Sequence, residues 1–366
     1  MAKQSLKILH QTPAKLGYVF PPEWHPHAAT WFSWPRPEGI SFPGKYHTVP
    51  ENLARIIFEI QSREQVHINV LNDNWEFIVR DQLKQFGCPT TNVFFHYIKT
   101  NESWCRDHGP AFVIGNRAKP PFGSEPQGRR QAAIVDWKFN AWGGKYPPYD
   151  DDDAVPTRIA EEMKLPIFYP KIVMEGGAVD FNGAGTVMTT TSCLLNKNRN
   201  PKLSKKRIEK YLKDFYGQQH VIWLGEGIAG DDTDGHIDDL ARFISSTQIV
   251  FGVEDDPKDE NYKILKENLK LLRTLKDQNG RPFEIIELPM PGVVEHDGQR
   301  LPATYMNFYF VNGAVLVPTY RHRNDKRAIA ILQKALPKHE VIGIDCVELI
   351  WGLGAIHCLT QQQPLF

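Results

Sequence analysis

Neither charge is in excess in this sequence of 366 residues, which has 43 lysines and arginines and 43 aspartates and glutamates. A protein that binds DNA or RNA along its phosphate backbone needs a basic surface, so no nucleic-acid partner is expected. Long apolar runs are also missing, because none reaches the roughly 18 residues of a transmembrane helix. No membrane partner is expected either.

Cysteine is scarce, and the five residues, at positions 88, 105, 193, 346 and 358, include no C-x-x-C pair. An odd number of widely spaced cysteines argues for free thiols in a reducing compartment, against both a disulfide framework and a zinc site. The first ten residues have no apolar core of a signal peptide. A cytoplasmic location is therefore expected.

What the sequence does contain is a repeated order of helix, strand, polar turn and strand. Amphipathic helix patterns cover residues 53–60, 75–86, 155–163, 204–216, 261–275 and 326–336, and strand patterns follow at 66–71, 92–97, 167–169, 220–224, 283–288 and 340–344. The polar turns contain positions 107, 175, 236, 304 and 358, about 55 to 70 residues apart. Apolar strand patterns follow the first four turns, at 111–114, 185–188, 241–244 and 314–317, and a further strand pattern lies at 29–35. Five such units are expected to close around one axis, as a single α/β domain of residues 1–366.

Two stretches interrupt this order. Residues 119–130 are polar and contain proline and glycine, which predicts a flexible insertion between strands. The acidic run Asp150–Asp153 is interpreted as a solvated loop, with a role in closing a site as the alternative.

Cys358, eight residues from the C-terminus, is predicted to be a nucleophile. It follows Gly352 and Gly354, which allow close approach of backbone or ligand, and it precedes an apolar run interpreted as extended. The alternative is a buried structural thiol. A thiol with a free pKa of about 8.5 needs a base, and His357 is a poor candidate because neighbours on a strand point to opposite faces.

If the five turns meet, their polar residues converge: Asp107, Glu175, His236, Asp238 and Cys358. On an extended backbone, His236 and Asp238 would face the same way. The alternatives are a core histidine with satisfied hydrogen bonds, and carboxylates that serve turns or caps. Several carboxylates without a metal motif suit a positively charged electrophile. Two acids can hold the planar fork of a guanidinium and leave its carbon open to a thiolate.

Taken together, the motifs resemble one enzyme family. They are Glu23-Trp24, Trp104-x-Arg106-Asp107-x-Gly109-Pro110, Glu175-Gly176-Gly177, Thr233-Asp234-Gly235-His236-Ile237-Asp238 and Ile356-His357-Cys358-Leu359-Thr360. This combination resembles the agmatine deiminase and bacterial-type peptidyl-arginine deiminase family. The resemblance implies a pseudo-fivefold α/β propeller (pentein), in agreement with the five predicted units.

The resemblance also implies roles for the converging residues. Cys358 corresponds to the nucleophile of the family and His236 to its general acid and base. Asp107 and Asp238 correspond to the carboxylates that hold the guanidinium, and Glu175 to the acidic residue of the Glu-Gly-Gly turn.

Three further residues are implied around the substrate. Trp104 resembles the aromatic neighbour of the first carboxylate, and Asp232 lies where the family has an acid near the amine end of agmatine. Asn307 matches a family asparagine, with a structural and a substrate-lining role both open. Departures from the family pattern, such as Asp239, flank the predicted catalytic groups without removing one.

The implied reaction is hydrolysis of a guanidinium to a ureido group, with loss of ammonia and a covalent thiouronium intermediate on the cysteine. No cofactor is needed. The expected partner is a small guanidinium substrate, agmatine first, with peptidyl-arginine or free arginine as the alternative. A homo-oligomer is left open. The same fold also serves in a non-catalytic ribosome-binding factor, but that function predicts loss of the cysteine and the histidine.

Overall fold

The computed structural model describes residues 6–115 and 131–366, so the predicted insertion at residues 119–130 lies outside the described residues. The strands are β1 (Tyr18–Val19), β2 (His27–Ser33), β3 (Gln65–Asn69), β4 (Val93–His96), β5 (Ala111–Gly115), β6 (Ala132–Val135), β7 (Ile167–Phe168), β8 (Val179–Phe181), β9 (Thr186–Thr190), β10 (His220–Leu224), β11 (Ala241–Phe243), β12 (Gln248–Val253), β13 (Glu284–Pro289), β14 (Glu295–His296), β15 (Gln299–Arg300), β16 (Tyr309–Val311), β17 (Ala314–Thr319), β18 (Glu340–Asp345) and β19 (Gln361–Pro364).

Helices occupy much of the chain between the strands. The α-helices are α1 (Val49–Gln61), α2 (Asp73–Gln85), α3 (Cys105–His108), α4 (Ala141–Gly144), α5 (Asp150–Asp153), α6 (Val155–Met163), α7 (Thr191–Leu194), α8 (Lys205–Tyr216), α9 (Glu260–Leu272), α10 (Asn324–Ala335) and α11 (Ile356–Leu359), and the 3₁₀ helices are η1 (Ala14–Leu16), η2 (Tyr46–Thr48), η3 (Gly176–Ala178), η4 (Ile237–Asp239) and η5 (Ile350–Gly352). Of the helices in the described part of the chain, none is long and apolar enough to cross a membrane.

Five sheets share one arrangement, in which a central strand pairs antiparallel with one neighbour and parallel with the other. The central strands β2, β6, β9, β12 and β17 pair antiparallel with β19, β5, β8, β11 and β16. They pair parallel with β3, β7, β10, β13 and β18. This fivefold recurrence confirms the predicted α/β class and the five units.

Each parallel pair is joined by a crossover that contains a helix, as parallel strands require. The helices are α1, α6, α8, α9 and α10 in chain order. The first sheet differs from the others because its antiparallel strand β19 comes from the opposite end of the chain and pairs Gln361 with Trp31. This pairing closes the first unit with the last strand.

The helix α8 shows how local sequence sets an element. Ser204 caps its start by accepting a hydrogen bond from the backbone N–H of residue 207, and Gly217 ends it in a left-handed conformation with φ of 68°. The apolar residues Ile208, Leu212 and Tyr216 recur every four residues and are buried. The helix therefore packs its apolar face against the sheet and leaves its charged residues outside.

The polar turns of the units are short helical turns. Asp107 lies in α3, Glu175 precedes η3, Asp238 lies in η4 and Cys358 lies in α11. The expectation of an extended backbone through residues 236–238 is wrong, because only His236 is extended, with φ of −60° and ψ of 142°. A tight helical turn reverses the chain between strands and brings the side chains inward.

The acidic run is not the solvated loop that the sequence predicted. It forms α5, and Asp152 is buried, with 1% of its surface exposed. Asp152 accepts backbone hydrogen bonds from Asn101 at 2.7 Å and Glu102 at 3.2 Å, and Asp153 accepts one from Phe139 at 2.8 Å. Burial raises the pKa of Asp152 to about 8. Through these hydrogen bonds the acidic run is attached to residues 101–102 and to residue 139.

Candidate active site

The predicted nucleophile lies within a short helical turn. Cys358 is the third residue of α11, and 8% of its surface is exposed. Asn307 Oδ1 accepts hydrogen bonds from the backbone N–H groups of His357, at 3.0 Å, and Cys358, at 3.3 Å. The Nδ2 group of Asn307 donates to Cys358 Sγ at 3.1 Å and to Asp239 Oδ1 at 3.1 Å. Of the two roles left open for Asn307, the structure supports positioning of the cysteine.

The contacts of Asn307 lead to a prediction. Asn307→Ala is expected to lower kcat by about 10- to 100-fold, because the thiolate loses a hydrogen-bond donor and the turn loses its cap. The Michaelis constant is expected to change less, since Asn307 contacts the nucleophile. Steady-state kinetics of ammonia release measure both constants. The exposed Asn74, changed to alanine, serves as the control, and an equal loss in both variants would contradict the assignment.

Two buried carboxylates lie beside the cysteine. Asp107 Oδ1 accepts a hydrogen bond from the backbone N–H of Gly177 at 2.9 Å, and its Oδ2 accepts one from Trp142 Nε1 at 2.9 Å. Asp238 Oδ2 is bonded to His357 Nδ1 at 2.6 Å, whereas its Oδ1 has no hydrogen-bond partner in the described parts of the chain. Both carboxylates are held rigidly and keep lone pairs for a cationic ligand.

Gly177 is where these groups approach the backbone. A Cβ atom at this position would lie 2.5 Å from His236 Nδ1 and 3.0 Å from both Asp107 Oδ1 and Asp238 Oδ2. No side chain fits there without displacing one of the three. The Glu-Gly-Gly sequence therefore serves the close packing of the site, besides supplying its glutamate.

His236 lies between the two carboxylates. Its Nδ1 atom is 3.8 Å from Asp107 Oδ1 and 4.0 Å from Asp238 Oδ1. Burial alone would lower the pKa of His236, but the charge of Asp107, contact with Cys193 and the charge of Asp238 raise it well above the usual value. The free site therefore holds this imidazole in its protonated form at neutral pH.

The same negative charges also raise the pKa of the thiol. Burial raises the pKa of Cys358 well above its usual value, and the negative charges of Asp238, Asp239 and Asp107 raise it further. The free site therefore favours the neutral form of the thiol. A cation that bound between the carboxylates would offset their charge and favour the thiolate.

His357 is not the base, although the reason that the sequence suggested is wrong. It lies in the same helical turn as Cys358 and not on a strand. Its two ring nitrogens are bonded to Asp238 Oδ2, at 2.6 Å, and to Glu23 Oε2, at 2.7 Å. Glu23 in turn accepts a hydrogen bond from Arg242 at 2.7 Å. His357 thus belongs to a buried network that fixes Asp238.

Glu175 lies on the other side of His236. Its Oε1 atom is 2.5 Å from Arg199 Nε in a fully buried ion pair, and its Oε2 atom has no hydrogen-bond partner in residues 6–115 and 131–366. Glu175, Cys193 and His236 each offer a donor atom within 4.8 Å of the others. The structure therefore brings Glu175 to the site, as the sequence predicted.

The site opens into a cavity of about 260 Å³. Its walls combine aromatic rings, acids and the predicted nucleophile, and they include Trp104, Asp107, Trp142, Tyr146, Asp232, Trp351 and Cys358. Among the described lining residues there is no lysine or arginine. The cavity therefore suits an elongated cation with an apolar middle.

Two predicted residues are found on the cavity wall. Trp104 donates from its Nε1 atom to Ser41 Oγ at 2.7 Å. It packs against Gly354, where a Cβ atom would come within 2.4 Å of the indole ring. Asp232 accepts a hydrogen bond from the hydroxyl group of Tyr146. The close approach of the Trp104 indole ring thus explains why glycine occupies position 354.

Sequence reasoning missed several residues around the site. Trp142 and Tyr146 were not predicted as site residues, yet they contact Asp107 and Asp232. A signal was present, because aromatic residues in a glycine-rich turn at positions 142–146 are unusual in a solvated loop. The arginine at position 199 had no local signal, since its partner Glu175 is 24 residues away.

Comparisons with known proteins agree with this geometry. Residues 19–364 match the sequence profile of the Porphyromonas-type peptidyl-arginine deiminase family. The chain is 36% identical to the agmatine deiminase of Medicago truncatula over 381 aligned residues, which cover 97% of this chain and 99% of that one. It is 34% identical to the agmatine deiminase of Pseudomonas syringae, with 98% and 99% covered.

Solved structures show the same similarity. An Enterococcus faecalis agmatine deiminase described as catalysing its reaction superposes with a TM-score of 0.89 at 31% identity, covering 99% of this chain and all of the other. A C. jejuni agmatine deiminase with substrate bound gives a TM-score of 0.83 at 31% identity, with 95% and 97% covered.

Proposed function

Because the chain belongs to the Porphyromonas-type peptidyl-arginine deiminase family, we propose that it hydrolyses agmatine to N-carbamoylputrescine and ammonia. The observation that carries this proposal is one buried cluster in which Asp107 and Asp238 lie near Cys358 and His236 lies near both carboxylates. A guanidinium is the common chemical group that this combination fits, since it is cationic, planar and attacked at carbon. No cofactor takes part in the proposed reaction.

The first step is binding of the guanidinium between Asp107 and Asp238. Both carboxylates are already oriented by hydrogen bonds, so little reorganisation accompanies binding. The arriving positive charge offsets the negative charges that keep Cys358 protonated. The thiol proton is released, and the thiolate forms at the moment when the guanidinium carbon is in place.

The second step is attack of Cys358 Sγ on the guanidinium carbon, which forms a carbon–sulfur bond and a tetrahedral intermediate. His236 donates its proton to the departing nitrogen, the carbon–nitrogen bond breaks, and ammonia leaves. The cysteine then carries a thiouronium group with the rest of the substrate.

In the third step the imidazole acts as a general base. His236, now neutral, takes a proton from a water molecule that attacks the thiouronium carbon. The carbon–sulfur bond breaks, the thiolate is released, and the proton left on the new oxygen passes to solvent, so that the product carries a ureido group. Cys358 regains from solvent the proton that it released there when the substrate bound. The raised pKa of His236 suits this cycle, because it starts each turnover as an acid.

Asp232 is the residue that we propose for the far end of the substrate. Agmatine ends in an ammonium group, whereas arginine adds a carboxylate at that end and a peptide adds neutral amides. Asp232 lines the cavity that holds Cys358, and its carboxylate is oriented by Tyr146. Such an acid attracts an ammonium group and repels a carboxylate.

Asp232→Asn is therefore expected to raise the Michaelis constant for agmatine with a smaller effect on kcat, because the tail binds alike in ground and transition states. The preference for agmatine over arginine should also narrow. Kinetics of both substrates on both proteins measure this preference, with the exposed Asp255, changed to asparagine, as the control. An unchanged ratio of specificity constants would remove Asp232 from the tail site.

The experiment that tests the proposed function compares agmatine, free arginine and an arginyl peptide by ammonia release from the purified protein. We expect the highest kcat/KM with agmatine. A higher kcat/KM with arginine or the peptide would show that the chain is an arginine or peptidyl-arginine deiminase instead.

The proposal includes a single deiminase domain, which is supported by the polar turns that meet at one site. It also includes a cytoplasmic location, supported by five free cysteines.

A further inference from the structure

Donor atoms of three residues converge in a buried cluster that includes the catalytic histidine. Glu175 uses Oε1 for Arg199, but its Oε2 atom is unpartnered within the described residues. His236 directs Nδ1 toward Asp107, and its Nε2 atom has no hydrogen-bond partner there either. The third residue, Cys193, is a free thiol, and all three side chains are buried.

The spacing of these atoms is close to that of a metal site. One ligand atom from each of Glu175, Cys193 and His236 lies within 4.8 Å of the other two. Zinc binds sulfur at about 2.3 Å and nitrogen or oxygen at about 2.0–2.2 Å, so its ligand atoms stand roughly 3 to 4 Å apart. A small inward movement of side chains would close the site around an ion.

The ligand types agree with that spacing. Thiolate, imidazole and carboxylate together favour zinc and its thiophilic relatives over calcium or magnesium, which prefer all-oxygen sites. We propose that Glu175, Cys193 and His236 form an inhibitory site for a thiophilic divalent cation such as Zn²⁺.

The position of the site explains why the ion would inhibit. A metal bound through a ring nitrogen of His236 would remove the group that passes protons to ammonia and from water. Arg199 can keep its contact with Oε1 of Glu175, because the metal needs only Oε2. Binding must displace two protons to solvent, the thiol proton of Cys193 and the proton on the ring nitrogen of His236 that takes the metal. That the ion inhibits rests on the proposed function, whereas its binding does not.

The test measures binding in a protein that cannot turn over. Co²⁺, a probe that gives a thiolate-to-metal charge-transfer band, is added to the Cys358→Ala variant, in which the nucleophile cannot contribute. The band is expected in Cys358→Ala and should be lost when Cys193→Ser is added. The matched control adds Cys88→Ala instead, which removes another buried free thiol and should leave the band unchanged.

Loss of an outer-shell partner already weakens metal binding by about 10- to 100-fold, so loss of the sulfur ligand is expected to cost at least about 100-fold. If the serine variant does not fold, His236→Gln in the same background must weaken Co²⁺ binding by a similar factor. No band in Cys358→Ala, or a band that survives without Cys193, overturns the proposal.

A second experiment tests whether the bound ion inhibits the reaction. Zn²⁺ should inhibit ammonia release by the wild-type protein, and a chelator should restore it. If Co²⁺ binds as expected but agmatine is not hydrolysed, the metal site stands and the proposed function fails. If agmatine is hydrolysed and Co²⁺ does not bind, the proposed function stands and the metal site is overturned.

Discussion

Cys358→Ala is expected to reduce ammonia release from agmatine by roughly 10⁵-fold or more, the scale on which enzymes lose activity with their covalent nucleophile. The reason is chemical, because alanine has no atom that can form the carbon–sulfur bond of the intermediate. Removal of one sulfur atom next to an open cavity is expected to leave the fold intact. Ammonia release and a thermal melt measure the two effects.

The matched control for this variant is Cys88→Ala, since Cys88 is also a buried free thiol and lies outside the site. It should retain near-normal turnover. Full activity in Cys358→Ala would exclude covalent catalysis through this residue. Equal loss in both variants, with both unfolded, would point to stability as the cause.

Asp107→Asn and Asp238→Asn are each expected to cost at least about 1.5 to 3 kcal/mol in transition-state stabilisation, or about 10- to 150-fold in kcat/KM. Each variant removes one charge-assisted contact to the guanidinium. The exposed Asp255, changed to asparagine, is the control, because Asp152 is buried and unsuitable for this purpose. A similar loss at Asp255 would indicate general electrostatics.

These variants should also change the thiol in a direction that a merely damaged site would not. The charges of Asp238 and Asp107 raise the pKa of Cys358, so removing either charge lowers that pKa. At a fixed pH below the raised value, the thiolate fraction increases. Alkylation of Cys358 by iodoacetamide should therefore become faster while turnover becomes slower. Slower alkylation would contradict the electrostatic account.

The fivefold repeat could be predicted because helix and strand periodicity is local. The pairing of strands into sheets could not be predicted, because periodicity does not show which strands are hydrogen-bonded to each other. β19 pairs with β2 from the other end of the chain. The strands β6 and β12 were not predicted, although both are central in their sheets and β12 contains the apolar residues 249–251.

The meeting of the polar turns was predictable from their spacing, and the structure places Asp107, His236, Asp238 and Cys358 around one site. The surrounding contacts were not predictable. The sequence does not show that Asn307 packs against the turn α11 and contacts Cys358, because this contact joins residues 51 positions apart. The sequence could not distinguish the buried Asp152 from the more exposed aspartates beside it, because its burial is set by tertiary contacts.

The covalent intermediate is the central claim, and mass spectrometry of the acid-quenched protein tests it most directly. Wild-type protein mixed with agmatine and quenched during turnover should carry an adduct with the mass of agmatine less one ammonia. Peptide mapping should place the adduct on Cys358, and the Cys358→Ala variant should show none. An adduct on another residue, or turnover of the wild-type protein with no adduct on Cys358, would contradict the account.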